Sequence, residues 1–593
     1  MIADFAEAWP EASATNLRGI VDQPEVAAHD IAAHDAELDI TSTRVDLEGD
    51  LDCGEDTCRE HATVTHELAG SPSWTYKTLI QSKLNQGQWL VKWTPGTFHP
   101  DITDATTLKR RRWLPRRAPI LDRRGAALTP ERKIVRIGVV PRAVGPKTYQ
   151  ELATLVNIDP SSLRERVRAA QPDWFVSVID LRKKAYKPLR KDILEVPGVT
   201  VDKAKRALAP TAAWGRAILG SVGPATAETL GSADEYTLPT DEVGRGGLQQ
   251  AFQQRLAGTP GTSIQLVEKV RGHVLNRVYT QRAKNGQPLH TTLDVEAQSV
   301  VEKSISKVSK PTSVVLVKAS TGEILAAGNA PGPTSANTAF LGRVAPGSTF
   351  KTVSAAALLA GGVVRPHTRV RCPDTVAVDG KRFKNYTTDL LGPNATFAQA
   401  YAASCNTAFV PLASELSGKQ LAAMADQFGI GVKWDIGLGA FSGSAPADTD
   451  LVTRAADMIG QGHIQESPLG MAMVAATVNS GVARTPTLLP GVKPGRRLGQ
   501  LSPKLDHQLQ QMMRLVVTDG TGKAVDLPGE PVYAKTGTAE VGTGDKTHTN
   551  AWMIGYRGDV AFAVYVHGGA SGAHAAAPIV SYVLDNLPQR LYR

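Results

Sequence analysis

Hydrophobic and polar residues alternate with a period of two in several segments of the first 105 residues, which is typical of half-buried β-strands. The strands predicted from this alternation cover residues 41–47, 62–68, 74–81 and 89–93. Two helices are predicted before them, over residues 1–18 and 23–36. The aromatic residues expected in the core of this unit are Trp74, Tyr76, Trp89, Trp93 and Phe98. A ligand-binding cavity among these rings is the alternative interpretation.

The pattern changes near residue 290. A β-hairpin is predicted over residues 314–318 and 323–327, a long Ala-rich helical region follows, and a helix closes the chain over residues 573–587. Three more strands are predicted over residues 532–540, 550–556 and 560–567. Because strands come from both ends of this region, we expect one antiparallel sheet that is assembled from the two ends and covered by helices.

The length of 593 residues exceeds the roughly 250–300 residues at which single hydrophobic cores stop growing. We therefore predict a multidomain α+β protein with a small α+β unit at 1–107, an elongated linker at 108–289 and a C-terminal domain at 290–593. The apolar runs fall short of the roughly 20 residues that a membrane span needs, and no signal-peptide pattern opens the chain. The sequence is that of a soluble body or of a fragment without its anchor.

Basic residues outnumber acidic ones by 66 to 57, which gives a formal net charge of +9. Much of the excess lies in residues 109–117 and 181–191. These runs suit an acidic polymer or a membrane surface as partner, or they are solvated faces of a linker. No fold motif for nucleic-acid binding accompanies them, so we expect no nucleic-acid partner.

The chain contains four cysteines: Cys53, Cys58, Cys372 and Cys405. They form no C-x-x-C pair and have no histidine at zinc-finger spacing, so we expect neither a metal site nor a cofactor. An even number of cysteines in a secreted protein allows the disulfides Cys53–Cys58 and Cys372–Cys405. Four unpaired thiols are the alternative.

The first motif with catalytic potential is Ser348-Thr349-Phe350-Lys351, at the start of an Ala-rich helix. A serine at a helix start gains from the helix dipole and the free backbone N–H groups. Lys351 lies one turn further on the same face, and a buried lysine with a lowered pKa can remove the serine proton. The spacing alone is weak, because Ser304 and Lys307 match it in a polar helix.

The second motif, Ser404-Cys405-Asn406, lies in a break between helical stretches. Its serine can relay a proton and its asparagine can hydrogen-bond a substrate amide. The segment Ser335-Ala336-Asn337 matches the same pattern. Cys405 has no histidine at a recognisable family spacing, so we do not expect it to be a nucleophile.

The third motif, Lys535-Thr536-Gly537, lies on a predicted strand, and no other K-T-G occurs in the chain. The lysine supplies positive charge, the threonine a hydroxyl for a carboxylate, and the glycine clearance for a close backbone approach. Each motif alone is weak. Their order along the chain, at a helix start, a loop and a strand, is the context that makes the combination specific.

S-x-x-K, S-x-N and K-T-G together mark the penicillin-recognising serine enzymes, and the flanking residues resemble class B penicillin-binding proteins. The segments that carry this resemblance are APGSTFK at 345–351, SCNTAF at 404–409, GQG at 460–462, SPL at 467–469, KTGTAE at 535–540, AWMIGY at 551–556, TLD at 292–294 and ILDRRGAAL at 120–128. The N-terminal unit resembles the cone-shaped nuclear-transport-factor-like domain of low-affinity, resistance-type members.

The resemblance implies a D,D-transpeptidase that cross-links peptidoglycan stem peptides. Ser348 would attack the D-Ala–D-Ala carbonyl, Lys351 would take its proton and Ser404 would pass a proton to the leaving D-alanine. Asn406 would orient the donor, and Lys535 and Thr536 would hold its carboxylate next to Gly537. The backbone N–H groups of Ser348 and Thr538 would form the oxyanion hole. β-Lactams would acylate Ser348, and His463 and His548 would be structural or rim residues.

Three alternatives remain on the same chemistry. A serine β-lactamase needs a deacylating base, and no E-x-x-x-N element follows Asn406. A D,D-carboxypeptidase would hydrolyse the acyl-enzyme, and a non-catalytic β-lactam-binding sensor or scaffold would only form it. The resemblance also implies a place at the extracytoplasmic face of the bacterial membrane, through an anchor absent from this chain, and a glycosyltransferase or another cell-wall synthesis protein as partner.

Overall fold

A computed structural model of the chain describes residues 1–211, 214–231, 236–330, 337–386, 391–392, 394–491, 493, 495–542 and 548–593. The chain divides into two compact units, Met1–Ala118 with Leu219–Leu289 and Pro119–Ile218 with His290–Arg593. The three-part division at 107/108 and 289/290 stays a prediction. The strand Thr106–Trp113 runs across the first of those boundaries and pairs within the first unit.

The N-terminal part of the first unit is an antiparallel sheet with helices packed on it. Its long strands follow one another in the sheet in the order Ile40–Leu47, Thr57–Leu68, Ser71–Asn85 and Gln88–Val91, with Asp52–Cys53 paired to the second. The helices are Ile2–Ala8, Pro24–Leu38 and Pro95–Phe98. Of the expected core aromatics, Trp74, Trp93 and Phe98 are buried, whereas Tyr76 and Trp89 are partly buried.

The first predicted helix is wrong in its second half. The α-helix ends at Ala8 and a 3-10 turn, Trp9–Glu11, follows it, because Pro10 has no N–H to continue the helical hydrogen bonds. The backbone N–H of Ser13 then donates to the side chain of Asn16 at 2.7 Å. This local turn competes with a helix for the same backbone groups.

One of the two interpretations of the basic run at 109–117, a solvated face, is wrong for Arg110 and Arg112. Residues 109–113 of the run lie in a three-stranded sheet in which Gly261–Glu268 is the central strand, between Thr106–Trp113 and Val274–Gln281. Because side chains alternate along a strand, Arg110 and Arg112 point inward and Lys109 and Arg111 point outward. The guanidinium of Arg112 donates two hydrogen bonds to Asp241, at 2.9 and 2.7 Å.

The remaining short elements of the first unit connect these sheets. The strands are Ser221–Pro224, Glu242–Arg245, Gly258–Thr259 and Lys284–Asn285, and the helices are Ala227–Leu230, Gly247–Ala251 and Gln253–Ala257. The short strand Leu289–His290 carries the chain back to the second unit.

The second unit begins with a small α/β subdomain. Its central strand is Glu131–Val139, which lies between Val199–Ala207 and Val176–Arg182. The other elements of this segment are the short strand Ile120–Leu121 and the helices Thr148–Val156, Pro160–Arg168, Lys183–Glu195 and Arg216–Leu219. The basic run at 181–191 continues from the last strand into the helix Lys183–Glu195, whose lysines are exposed.

The C-terminal part of the second unit is built on a five-stranded antiparallel sheet, here called the central sheet. Its strands follow in the order Glu323–Asn329, Thr312–Lys318, Val560–Val566, His548–Arg557 and Val532–Val541. Strands from both ends of the region therefore meet in one sheet, and the predicted α+β architecture is confirmed. The last strand, Val532–Val541, lies at the sheet edge and carries the K-T-G motif.

Helices cover both faces of the central sheet. Val295–Ile305 and Ala577–Asn586 pack on one face around a core that includes Phe562 and Met553. Pro468–Ser480, which is buried over most of its length, packs on the other face. The other helices are Thr338–Leu341, Lys351–Ala360, Phe397–Ala402, Asn406–Phe409, Gly418–Gln427, Leu451–Asp457 and Pro503–Thr518, and the minor strand pairs are Thr375–Val378 with Lys381–Lys384 and Val482–Arg484 with Arg497–Gln500.

Across the described ranges, no helix combines the length and the apolar content that crossing a membrane requires.

Candidate active site

Ser348 lies on a tight 3-10 turn, Gly347–Phe350, that leads directly into the helix Lys351–Ala360. The turn depends on Gly347, which has a φ of +54° and donates its N–H to the carbonyl of Gly460 at 2.8 Å. A Cβ at Gly347 would lie 2.8 Å from the carbonyl oxygen of Thr538, so no side chain fits there. This close approach brings Ser348 against the K-T-G strand.

Lys351 is fully buried behind Ser348. Its ammonium donates to the carbonyl of Ser404 and to Oδ1 of Asn406, both at 2.7 Å, and lies 5.3 Å from the centre of the Phe409 ring. Burial, with the charge of Lys535 as the second cause, holds the pKa of Lys351 well below its usual range. This is the environment in which a lysine can act as a base.

Lys535 approaches the same loop from the sheet edge and is also fully buried. Its ammonium donates to the hydroxyl of Ser404 and to the carbonyl of Thr536, both at 2.9 Å. Burial lowers the pKa of Lys535 to about 7. The two buried lysines therefore meet at Ser404, one at its carbonyl and one at its hydroxyl.

The S-x-N loop is held in an unusual conformation. It joins the helices Phe397–Ala402 and Asn406–Phe409, and Ser404 has a φ of +61°, which non-glycine residues rarely adopt. Such strain persists only where surrounding contacts fix the backbone. One of these contacts is the disulfide Cys372–Cys405, because Cys405 lies between Ser404 and Asn406.

Asn385 supplies the other restraint on this loop. Its Oδ1 accepts the backbone N–H groups of Asn406 at 2.8 Å and Thr407 at 3.1 Å. Its Nδ2 donates to the carbonyl of Pro373 at 2.9 Å. A single side chain thus ties the helix Asn406–Phe409 to the chain that follows Cys372.

The K-T-G strand contributes a hydroxyl and close packing. Thr536 shares a hydrogen bond with the hydroxyl of Thr521. A Cβ at Gly537 would lie 2.9 Å from Cγ2 of Thr349 and 3.0 Å from the carbonyl oxygen of Pro346. Gly537 thus allows the nucleophile segment to pack on this strand, and its expected role in clearing space for substrate stays a prediction.

These residues open onto one cavity of about 360 Å³. Ser348, Ser404, Asn406, Thr536, Gly537 and Thr538 line it, whereas Lys351 and Lys535 lie behind the wall. Cys372 and Cys405, which the sequence suggested as a disulfide pair, also line it. The remaining lining residues were not singled out from the sequence: Asn385, Tyr386, Ala403, Thr521, Ala570, Ser571, Gly572, Ala573 and His574. They come from loops that carry no recognisable motif, so only the fold brings them to the site.

The competing motif matches lie elsewhere. The hydroxyl of Ser304 donates to the carbonyl of Val301 in its own helix, and Lys307 is exposed beyond the end of that helix. Ser335 and Ala336 lie outside the described residues. His463 donates its backbone N–H to Asp457 at 2.8 Å, and His548 packs against His567 on the central sheet. Neither histidine lines the cavity.

The other predicted disulfide, Cys53–Cys58, is present between two paired strands of the first unit. The four cysteines are therefore all paired in the structure.

Comparisons with known proteins identify the family of this chain. The penicillin-binding protein transpeptidase domain matches residues 312–585, and the penicillin-binding protein dimerisation domain matches residues 113–291. The chain is 30% identical over 393 residues to the peptidoglycan D,D-transpeptidase PbpA of Mycolicibacterium smegmatis, which covers 56% of this chain and 77% of the relative. It is 24% identical over 523 residues to penicillin-binding protein 3 of Bacillus subtilis, covering 80% and 76% of the two chains.

Among solved structures, the chain is similar to one from the complex between penicillin-binding protein PBP2 and MreC of Helicobacter pylori. The TM-score is 0.63 at 19% identity, over 81% of this chain and 99% of that chain. This likeness concerns the fold. The fold and the site define a serine enzyme of the transpeptidase type. The chain belongs to the class B penicillin-binding protein family, with both the transpeptidase and the dimerisation domains of that family.

Proposed function

We propose that this protein cross-links peptidoglycan stem peptides as a D,D-transpeptidase, with an acyl-enzyme on Ser348 as the intermediate. The observation that supports it most is the convergence of two buried lysines on Ser404, next to a cavity that Ser348 lines. Burying two amines costs free energy, so their presence next to the cavity supports a catalytic role. Amines with perturbed pKa values next to a cleft are typical of acid–base sites.

In the first half-reaction, Ser348 Oγ attacks the carbonyl between the two terminal D-alanines. The lowered pKa of Lys351 supports this residue as the base that receives the Ser348 proton. The C–N bond then breaks, and the leaving D-alanine nitrogen takes a proton through the Ser404 hydroxyl. The hydrogen bond from Lys535 to that hydroxyl supports this relay.

The donor peptide would lie along the K-T-G strand. Thr536 and Lys535 would attract its terminal carboxylate, and Asn406 would hydrogen-bond its amide. The backbone N–H groups of Ser348 and Thr538 would stabilise the oxyanion, a contribution of about 3–4 kcal/mol per donor. The close approach of Gly347 to the Thr538 carbonyl supports this pairing, because the two segments lie side by side there.

The first test is intact-mass spectrometry after incubation with benzylpenicillin. We expect a stable one-drug adduct on the wild type and none on Ser348→Ala. Ser304→Ala is the matched control, because it removes the serine of the competing S-x-x-K match, and it should be acylated like the wild type. Consumption of the drug without an adduct would indicate a β-lactamase, and recovery of intact drug would indicate a scaffold.

The second test separates the remaining alternatives. A stem-peptide thioester is offered as donor, with and without a D-amino acid as acceptor. Formation of the new amide supports the transpeptidase. Hydrolysis alone would indicate a D,D-carboxypeptidase, and acylation without turnover would indicate a sensor.

We also propose that the protein works at the extracytoplasmic face of the membrane, together with a glycosyltransferase that supplies nascent strands. The two disulfides support this location, because such bonds persist in oxidising compartments. The five-stranded antiparallel sheet with the helices Ile2–Ala8 and Pro24–Leu38 supports a nuclear-transport-factor-like N-terminal domain. A resistance-type member would be acylated slowly, so a slow second-order rate with benzylpenicillin is the corresponding test.

A further inference from the structure

The wall of the cavity formed by residues 570–574, here called the distal wall, has no role in the steps derived so far. It follows the strand Val560–Val566 and precedes the helix Ala577–Asn586. Its side chains include Ser571 and His574. His574 is exposed, whereas Lys351 and Lys535 are completely buried. An acceptor amine belongs to a second, bulky peptidoglycan strand, so it must enter the cavity from the solvent side.

The distal wall is fixed in position. The Tyr386 hydroxyl donates to the carbonyl of Ala570, and the Thr549 hydroxyl donates to the carbonyl of Gly569 at 2.7 Å. A Cβ at Gly572 would lie 2.2 Å from the carbonyl oxygen of Trp552 and 3.0 Å from the backbone of Gly537. The wall is therefore packed directly on the K-T-G strand.

Ser571 and His574 form a pair within this wall. The two side chains share a hydrogen bond of 2.8 Å between Ser571 Oγ and His574 Nδ1. Ser571 Oγ also accepts the backbone N–H of His574 at 3.3 Å. These two contacts fix the imidazole through Nδ1 and leave Nε2 as the ring atom that can exchange a proton.

The buried amines are already engaged on the donor side. Lys351 donates to the Ser404 carbonyl and to Asn406, and Lys535 donates to the Ser404 hydroxyl and to Thr536. The acceptor, however, arrives mostly as an ammonium ion at neutral pH and attacks only as the free amine. A base near the solvent side of the cavity would serve this second half-reaction.

We propose that His574, held by Ser571, is the acceptor-side base of the transpeptidation, an inference that rests on the proposed function. The acceptor nitrogen bonds to the carbonyl carbon of the acyl-enzyme, and its proton passes to His574 Nε2. The bond between that carbon and Ser348 Oγ breaks, and Ser348 regains its proton from Lys351. The imidazolium returns its proton to solvent, and Lys535, which supplied the departing D-alanine with a proton through Ser404, takes one up from solvent, so the cycle closes with no further reactant.

The test compares two rates in the same variants. Acylation by benzylpenicillin involves no acceptor and gives the reference rate. Aminolysis is measured with a stem-peptide thioester and increasing D-alanine, as the ratio of amide to hydrolysis product. In His574→Ala we expect the ratio of amide to hydrolysis product to fall by about a hundredfold, the size of a general-base contribution. This fall should exceed any change in the rate of acylation by benzylpenicillin. Ser571→Ala, which keeps the imidazole but releases it, should give a smaller fall.

The pH dependence distinguishes a base from a merely structural wall. Plotted against the concentration of unprotonated D-alanine, wild-type aminolysis should fall in acid, because a protonated imidazole cannot accept the proton of the acceptor. This acid limb should disappear in His574→Ala. His507→Gln, a change at another histidine that lies on the helix Pro503–Thr518, should retain both the ratio and the limb.

An unchanged ratio in His574→Ala, or a fall equal to that of acylation, would overturn the proposal, as would an acid limb that persists in the variant. Failure of the proposed function itself looks different, because the wild type would then form no amide at any concentration of acceptor, whether or not it is acylated.

Discussion

The ammonium of Lys535 donates a hydrogen bond of 2.9 Å to the hydroxyl of Ser404. This contact joins the edge strand of the central sheet to a loop between two helices, 131 positions earlier in the chain. It gives the Ser404 hydroxyl a fixed donor on one side, so the hydroxyl can pass its own proton in one defined direction.

Replacing Ser404 should therefore separate activity from stability. In Ser404→Gly the hydroxyl is lost, and we expect acylation by benzylpenicillin to slow by about a hundredfold or more. The same change relieves the positive φ of +61°, so Ser404→Gly should unfold at a higher temperature than Ser404→Ala. The measurements are the acylation rate and the melting temperature of the two variants.

A matched serine tests the specificity of this effect. The Ser414 hydroxyl donates to the carbonyl of Pro411 on an exposed turn, and Ser414→Ala should leave the acylation rate unchanged. Equal acylation rates for Ser404→Gly and the wild type would contradict the relay.

The lowered pKa of Lys535 predicts a pH-dependent stability. Its pKa is about 7 in the folded chain, against an ordinary value of 10.5. The unfolded chain therefore binds more protons between these values, and this contribution to stability is lost as the pH falls from about 10.5 towards 7. The difference in melting temperature between wild type and Lys535→Met should accordingly grow in favour of the wild type from pH 7 to pH 9.5.

Lys419 offers the control, because it is an exposed lysine on the helix Gly418–Gln427. Lys419→Met should show no such trend with pH. A constant difference between wild type and Lys535→Met over the same range would mean that the buried amine keeps its ordinary pKa.

Asn385 should matter to catalysis although it belongs to no motif. In Asn385→Ala the N–H groups of Asn406 and Thr407 lose their acceptor, which should lower the free energy of unfolding by about 2 kcal/mol. The freed loop should also misplace Asn406, so we expect acylation to slow by about tenfold. Chemical denaturation and acylation kinetics check the two effects.

Asn586→Ala is the comparison, because the exposed Asn586 side chain donates to the Tyr582 carbonyl at the end of the helix Ala577–Asn586. It should change neither quantity. Wild-type acylation in Asn385→Ala, despite reduced stability, would show that the loop keeps its position without this residue.

The ion pair between Arg112 and Asp241 should be important for the stability of the first unit. The two side chains are only 14% and 10% exposed, so Asp241→Ala leaves a buried guanidinium without its counter-charge. We expect the free energy of unfolding to fall by about 3–5 kcal/mol. The exposed pair Arg44–Asp46 is the control, and Asp46→Ala should cost less than about 1 kcal/mol.

In thermal unfolding of the full chain, the first unit of Asp241→Ala should unfold at a lower temperature than the first unit of the wild type. If Asp241→Ala cost no more than Asp46→Ala, the inward orientation of Arg112 would be wrong.

The three motifs were predictable from the sequence because each is local: four residues at a helix start, three in a loop and three on a strand. Their surroundings were not. Asn385 and His574 reach the cavity only through the fold, and nothing in their flanking residues indicates a role. The bonding of Lys351 was also only partly predicted, since its hydrogen bonds go to Ser404 and Asn406, while sequence spacing pointed to Ser348.

The same reasoning explains the error over the basic run. Alternation along the strand Thr106–Trp113 places Arg110 and Arg112 inside, but the partner that neutralises Arg112 is Asp241, 129 positions away. Charge patterning within a short window therefore suggested a solvated surface. The central sheet was easier to predict, because its apolar strand segments lie next to short turns at Gly322 and Gly558.

The bridge between Cys372 and Cys405 has a consequence for when this enzyme becomes active. It closes a loop of 33 positions and passes through the residue that separates Ser404 from Asn406. The disulfide lowers the entropy of the unfolded chain, which stabilises the folded chain by about 3–4 kcal/mol. A chain in which the two cysteines are still thiols would lack this stabilisation. Formation of this disulfide would then be the step that makes Ser348 reactive. A reducing agent added during purification would reverse that step.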